Sequence, residues 1–393
     1  MKQVEDLTLI KVLGKGAYGE VYLSKKANSN KFFATKRINK LDADTKLKKY
    51  FNYEINILKA LRHENIIRLE EVKMTSNNYY VVMEFLNGGD LKSCLNKYMS
   101  MHNAPFPEEI VQYLMKQIVS AIAYIHDFNV IHRDLKLENI MVNFDSEIDK
   151  QNLNMMKAKI KIIDFGCSIV IPSQGGFCFT AAGTPGYMDP LLLEEYYYKA
   201  KRENLIGYGK EVDIWSLGCL CFELFRGKVP FTSGTFEDLI NKHNEGKYNL
   251  LSNSSAEIKD FLSKMLKRDG KARATARELL YHPFLTNNIG NFGKINIAQQ
   301  INNQNLHNKN RAEELYEELE KEKERRATLN YKGYNSAPIT FNPFSNNQIM
   351  ANFQPQPQPP NPHVMFQFPG NVPNYQVPGY NNNINNNIYQ YYQ

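Results

Sequence analysis

The first part of the chain reads in period two. Leu9-Ile10-Lys11-Val12-Leu13 and Val21-Tyr22-Leu23 are short β-rich runs, and Lys31-Phe32-Phe33-Ala34-Thr35-Lys36-Arg37-Ile38 alternates so that Ala34 and Lys36 share a face. Between Tyr50 and Leu61 the period becomes helical, with Phe51, Ile55, Leu58 and Leu61 on one side and Glu54 beside them. Tyr79 to Leu86 reads as a buried strand and runs into Asn87-Gly88-Gly89-Asp90, a break suited to a hinge. From Phe106 onward Ile110, Leu114, Ile118, Ile122 and Ile125 form a long helical stripe, read as core. A second, largely buried helix is predicted around Val212 to Phe225, with Asp213 at its start.

The pattern stops near Pro283-Phe284-Leu285, after which Asn, Gln, Tyr and Pro dominate. The part before it exceeds a usual single domain, which predicts two lobes: about 7–86 and about 87–285. The tail, 286–393, cannot bury enough apolar area to offset its ordering entropy and is expected to be largely disordered. One island, 311–329, mixes Glu, Lys and Arg with Leu315 and Leu319, and predicts a solvated helix with i,i+4 ion pairs. Pro355 to Pro362 is expected to be extended. Binding partners for this tail are an open possibility.

Composition narrows the classes. Hydrophobic residues make up 42% of the 393, enough for a sizeable core, and no run reaches the length of a membrane span. The net charge of +7 has no dense basic block, so nucleic acid is not expected as a partner. The acidic start does not read as a secretory signal, and five cysteines, Cys94, Cys167, Cys178, Cys219 and Cys221, lack metal-type spacing. Reduced thiols in an intracellular, cytoplasmic setting are the expectation.

Chemistry concentrates in His132-Arg133-Asp134-Leu135-Lys136-Leu137-Glu138-Asn139, a polar turn between apolar flanks, which is where a rigid core presents catalytic groups. Asp164-Phe165-Gly166 follows the strand-like Ile160-Lys161-Ile162-Ile163. One Asp could accept a proton; the other, with Asn139, could offer Mg²⁺ the hard oxygens it shares with phosphate. Gly14-Lys15-Gly16-Ala17-Tyr18-Gly19 lies between two strands, so it is a hairpin and not the strand-to-helix turn of dinucleotide binders. It is either a plain turn or a place where backbone N–H groups approach phosphates. Glu54 is either a solvated helix acid or the partner of an ammonium. Asp213 is either a cap or a bond acceptor for the catalytic turn.

In this order and spacing the motifs resemble the eukaryotic protein kinase family, serine/threonine type, over residues 7 to 286. The resemblance implies a bilobal α+β fold with a β-rich N-lobe and a mainly helical C-lobe, residues 1–285 forming the catalytic domain. It implies transfer of the γ-phosphate of ATP to Ser/Thr hydroxyls of protein substrates, with Mg²⁺. By the same resemblance Leu13, Gly14, Gly16, Gly19, Val21, Ala34, Lys36, Met83, Glu84, Leu86 and Met141 bind ATP, Met83 as gatekeeper. Lys36 pairs with Glu54, Asp134 is the catalytic base, Lys136 steadies the migrating phosphoryl group, and Asn139 and Asp164 hold metal. Lys136 and Thr184, in Gly183-Thr184-Pro185, resemble the serine/threonine type, with Thr184 positioning substrate.

The resemblance also implies regulation: a phosphate on Thr180 would pair with Arg133 and order the activation segment, Asp164 to about Pro190. Asp90, Glu138 and Glu223 fall where relatives that prefer basic substrates place acids. The usual Ala-Pro-Glu reads Asp189-Pro190-Leu191, which leaves Arg273 without its glutamate unless Glu194 or Glu195 replaces it. Two insertions, Asn143 to Lys157 and Tyr196 to Tyr208, are expected as surface loops with a docking role open to either. The competing reading is a catalytically inactive kinase-like scaffold acting through its tail and insertions. That reading must explain why Lys36, Asp134, Asn139 and Asp164 are all present.

Overall fold

The computed structural model describes residues 2–16, 19–27, 29–40, 45–172, 182–198, 207–250 and 254–287, together with 177, 178, 180, 252, 311 and 314–321. The period-two segments pair into a six-stranded antiparallel sheet. Its strands are β1 (Lys2–Val4), β2 (Leu7–Gly16), β3 (Gly19–Lys26), β4 (Phe32–Asn39), β5 (Leu69–Met74) and β6 (Asn78–Glu84), with α1 (Thr45–Ala60) between β4 and β5. The spatial order is β1-β2-β3-β4-β6-β5. Alternation sends the strand residues to two cores. Leu7, Leu9, Phe33, Tyr80 and Val82 form a small outer cluster. Ile38, Leu69 and Val81 join Phe51, Ile55 and Leu58 of α1 in the main one.

The Gly-Gly break is held down at both ends. Gly88 N–H donates to Val142 O at 2.8 Å and Val142 N–H returns to Gly89 O at 2.8 Å. Asp90 then caps α2 (Leu91–His102), accepting the Ser93 N–H at 2.8 Å. The long stripe is α3 (Glu108–Asp127), which packs on α6, α9 and α10. After it come β7 (Val130–Ile131), β8 (Ile140–Asn143), α4 (Glu147–Gln151), β9 (Lys159–Ile162) and β10 (Ile169–Val170). The helices α5 (Pro190–Tyr198), α6 (Glu211–Arg226), α7 (Phe236–Glu245), α8 (Ala256–Met265), α9 (Ala276–Leu280) and α10 (Pro283–Thr286) complete the lobe. Thr235, Ser255 and Thr275 cap α7, α8 and α9, and Thr275 shares a capping box with Glu278. The expected bilobal α+β architecture is present.

Three expectations need correcting. The insertion after Asn143 is not simply a surface loop: Phe144, Leu153 and Met155 are buried in the main core around the short α4. Its apolar residues lie too far apart in sequence to show a period, so the segment read as polar. In the second insertion α5 runs to Tyr198, and Tyr208 is buried against the activation segment; residues 199–206 lie outside those described. In the tail, residues 311 and 314–321 are helical, and the i,i+4 pair Glu317–Lys321 forms at 3.1 Å. Yet this helix is not solvated all round. Leu315 and Leu319 are 3% and 4% exposed and belong to the main core. Burying a leucine contributes about 1.5–3 kcal/mol, more than the few tenths of a surface ion pair. The polyproline-like stretch Pro355 to Pro362 lies outside the described residues. Among the described residues no helix is long and apolar enough to cross a membrane, and all five cysteines are free.

Candidate active site

The glycine hairpin is the turn between β2 and β3. Gly14 pairs with Val21 and Gly16 with Gly19; residues 17 and 18 lie outside those described. Gly19 has φ +145, and a Cβ there would stand 1.9 Å from Arg37 O, so this close approach admits glycine alone. Leu13 lies on β2 beside an irregularity in register. Next door, Val21 pairs with Lys36 and Ala34 with Met83. Ala34 and Lys36 are both half-buried on one face of β4, as the alternation predicts. Leu86 is buried behind the hinge and Met141 sits on β8 opposite Lys161. The Glu84 side chain is taken up by Lys161 at 2.9 Å and by the Arg68 N–H at 2.7 Å, which leaves its backbone for any adenine contact.

The helix α1 delivers Glu54 to Lys36, with Nζ 3.8 Å from Oε1. Burial raises the Glu54 carboxyl above its ordinary range, Lys36 opposes that, and Asp164 adds to it. Asp164 behaves oppositely: burial would raise it, but Lys36 and the Gly166 N–H bring it below its usual value. So Lys36 lies between two carboxylates, and the one beside the open cleft is held ionised.

The catalytic turn closes around Asp134. Asn139 Nδ2 donates to Asp134 O at 2.8 Å and to its Oδ2 at 3.0 Å. Lys136 Nζ is 3.1 Å from Asp134 Oδ2 and 2.9 Å from Thr184 Oγ1, and the Thr184 hydroxyl donates to Asp134 Oδ1 at 2.7 Å. Gly183, φ +126, allows Thr184 this close, since a Cβ there would meet Arg133 O at 2.4 Å. Two non-glycine residues have left-handed backbone here, Arg133 at φ 69 and Asp164 at φ 61. Such conformations cost about 1–3 kcal/mol each and persist where surroundings over-determine them. Asp213 supplies that constraint for Arg133. Fully buried at the start of α6, it accepts His132 N–H at 2.8 Å, Arg133 N–H at 2.9 Å and lies 2.9 Å from His126 Nε2. Burial alone would raise its carboxyl; the His126 bond and the backbone donors lower it. Of the two readings left open for Asp213, the structure has the second.

Asn139 and Asp164 offer an amide oxygen and an ionised carboxylate, the hard donors Mg²⁺ takes. Among the described residues no three His, Cys, Asp or Glu side chains gather as a metal cage. Mg²⁺ here would complete its shell with phosphate and water, so the donor set fits.

The activation segment is tied to Arg133. Its Nε donates to Cys167 O at 2.5 Å, and Nη1 reaches Thr180 Oγ1 at 2.8 Å, Thr180 O at 3.0 Å and the Tyr208 hydroxyl at 3.0 Å. Tyr208 donates to Thr180 O, and its backbone exchanges two hydrogen bonds with Cys178 at 2.8 and 3.0 Å. Burial would raise the Cys178 thiol, but Arg133 and the hydroxyls around it bring it below its usual value. Sequence reasoning found Thr180 and Arg133 but missed Tyr208, His126 and Cys178, which converge only in space.

One question left open by the sequence is answered, and one expectation is overturned. Arg273 is paired with Asp189, not with Glu194 or Glu195. Glu194 instead accepts from Asn244 Nδ2 at 2.7 Å. Arg273 is buried over Trp215 and also donates to Glu211 O, Lys267 O and Arg268 O. The signal was present in Asp189-Pro190-Leu191: the acid precedes the proline where relatives place it after. Glu223 is not free to receive a substrate arginine, because it is buried and bound by Lys92 and the Tyr187 hydroxyl. Asp90 is used as a cap, and Glu138 stays exposed beside the turn.

A family model for the protein kinase domain matches residues 7–285. The chain belongs to the protein kinase family. It is 34% identical to myosin light chain kinase A of Dictyostelium discoideum over 296 residues, 74% of this chain and 92% of that protein. It is 35% identical to serine/threonine-protein kinase 33 of Bos taurus over 289 residues, and 33% identical to serine/threonine-protein kinase cds1 of Schizosaccharomyces pombe over 286. It spans about half the length of those two, 56% and 57%. This kinase is of the serine/threonine type, and its reaction is ATP-dependent phosphotransfer.

Proposed function

We propose that this kinase phosphorylates Ser/Thr hydroxyls of protein substrates through the residues named above, with 1–285 as its catalytic domain and 286–393 as a tail that can engage partners. The observation that carries the reading is the closed set Asp134–Lys136–Asn139–Thr184 with Lys36, Glu54 and Asp164 opposite it. Asp134 orients the substrate hydroxyl and accepts its proton. Lys36, fixed by Glu54, meets the α- and β-phosphates, while the hairpin of Gly14, Gly16 and Gly19 covers them and Val21, Ala34, Met83, Leu86 and Met141 enclose the adenine. Lys136 neutralises charge on the moving phosphoryl group, and Thr184 holds Asp134 in register. Mg²⁺, held by Asn139 and Asp164, would supply charge neutralisation at the phosphates. The chain has all four residues whose loss would mark a scaffold, and no observation favours the inactive reading.

Thr180 is exposed, and its hydroxyl already lies at the Arg133 guanidinium, which supports its role as the activating phosphosite. Free thiols support a cytoplasmic setting. The test is phosphate transfer from labelled ATP with Mg²⁺ to a generic Ser/Thr substrate, beside Asp164→Ala. Transfer that the variant abolishes is expected; equal transfer by both would overturn the assignment. A Thr180→Ala protein as active as wild type, each after treatment with an activating kinase, would remove the regulatory role.

A further inference from the structure

The helix α1 has two faces. Phe51, Ile55 and Leu58 turn into the core and Glu54 reaches Lys36. On another side Asn56, Lys59 and Ala60 line a cavity shared with the tail helix. There Leu315 stands with Ala60, and the acids Glu314 and Glu318 line the same space as Lys59. Two tyrosines near the tail helix tie α1 and the residues just past it to the C-lobe. Tyr53, raised mainly by burial, also feels Glu320, and its hydroxyl accepts the Val170 N–H at 2.8 Å at the start of the activation segment. Arg311 lies within charge range of Tyr124, whose hydroxyl accepts the Arg62 N–H at 2.9 Å just past α1.

We propose that this side of α1 is a docking site for an amphipathic acidic helix, that residues 311 and 314–321 fill it in cis, and that seating them holds α1 where Glu54 meets Lys36. The inference rests on the kinase reading for its consequence, not for the docking itself. An occupant with leucines at i and i+4 and acids at i−1 and i+3 matches an apolar spot beside a lysine. Because the ligand is part of the chain, docking is intramolecular, and its effective concentration does not depend on that of the protein.

The test uses the full chain. Leu315→Asp/Leu319→Asp is expected to lower kcat/KM for ATP about tenfold, with most of the change in KM, because Lys36 loses its fixed partner. The same variant should be cut faster by trypsin at Arg311 and Lys321, a readout that needs no turnover. Lys59→Glu should reproduce part of both effects, and Lys59→Glu with Glu314→Lys/Glu318→Lys should restore them. A peptide of residues 308–324 should rescue the leucine variant in trans at millimolar concentration. Unchanged cleavage in the leucine variant would overturn the docking, and faster cleavage with unchanged ATP kinetics would overturn its effect on α1. If the wild type transferred no phosphate while cleavage still responded, the kinase reading would fail and the docking would stand.

Discussion

The catalytic turn and the activation segment meet at Arg133 and are held in opposite ways. The turn hangs on Asp213, a carboxylate with no solvent exposure that takes two backbone N–H groups and sits on His126. Water cannot replace those bonds, so the turn has one arrangement. The segment hangs on the Arg133 guanidinium, which reaches an exposed threonine and a tyrosine hydroxyl. Solvent or a phosphate can substitute at the exposed threonine, whereas Tyr208 is buried. Burial therefore separates a fixed element from one that can be switched, although one arginine serves both.

The largest break in this contrast is Asp213→Ala. It strands two buried N–H donors and His126, and should destabilise the protein by about 3–5 kcal/mol, read as a shift in urea midpoint, with transfer lost even when Thr180 is phosphorylated. Asp189→Ala comes next. It leaves the Arg273 guanidinium buried without its carboxylate, at a cost of similar size, about 3–5 kcal/mol at most, whereas Glu194→Ala should cost about 1 kcal/mol. Equal losses at Asp189 and Glu194 would contradict the pairing seen here. Tyr208→Phe is milder: losing one hydroxyl should cost about 0.5–1.5 kcal/mol and lower kcat of the unphosphorylated enzyme a few-fold, less once Thr180 carries phosphate. An identical loss in both forms would make the segment as fixed as the turn.

Acid sharpens the same contrast most gently. Asp213 has a folded-state pKa below its ordinary 3.8. Its contribution to stability is therefore fully present above about pH 4 and is lost as pH falls through the lower folded value. Wild type should lose stability over that acid range more steeply than Asp213→Asn, measured by urea unfolding at each pH, while the Tyr208→Phe difference stays flat.

Much of this kinase was legible before its structure. The alternation of Lys31 to Ile38 put Ala34 and Lys36 on one face, and the stripe of α1 put Glu54 beside its apolar side, because period and handedness fix where side chains point. The long stripe of α3 and the helix at Asp213 were equally plain. What the sequence could not order was any contact between residues distant along the chain. Asp189 and Glu194 are five positions apart and equally acidic; Asp189, just ahead of α5 and accepting the Leu191 N–H at 2.8 Å, is the one that meets Arg273. Glu223 looked free until Lys92 and Tyr187 arrived from two other elements.

By itself, then, the sequence determined the family, the strand and helix faces and the chemical groups of the site, since these follow from local period and motif order. Tertiary structure alone decided which acid partners which base, and that Leu315 and Leu319 of an otherwise polar tail leave water for the core. Those outcomes turn on burial and on distance across the fold, and neither quantity is written in local spacing.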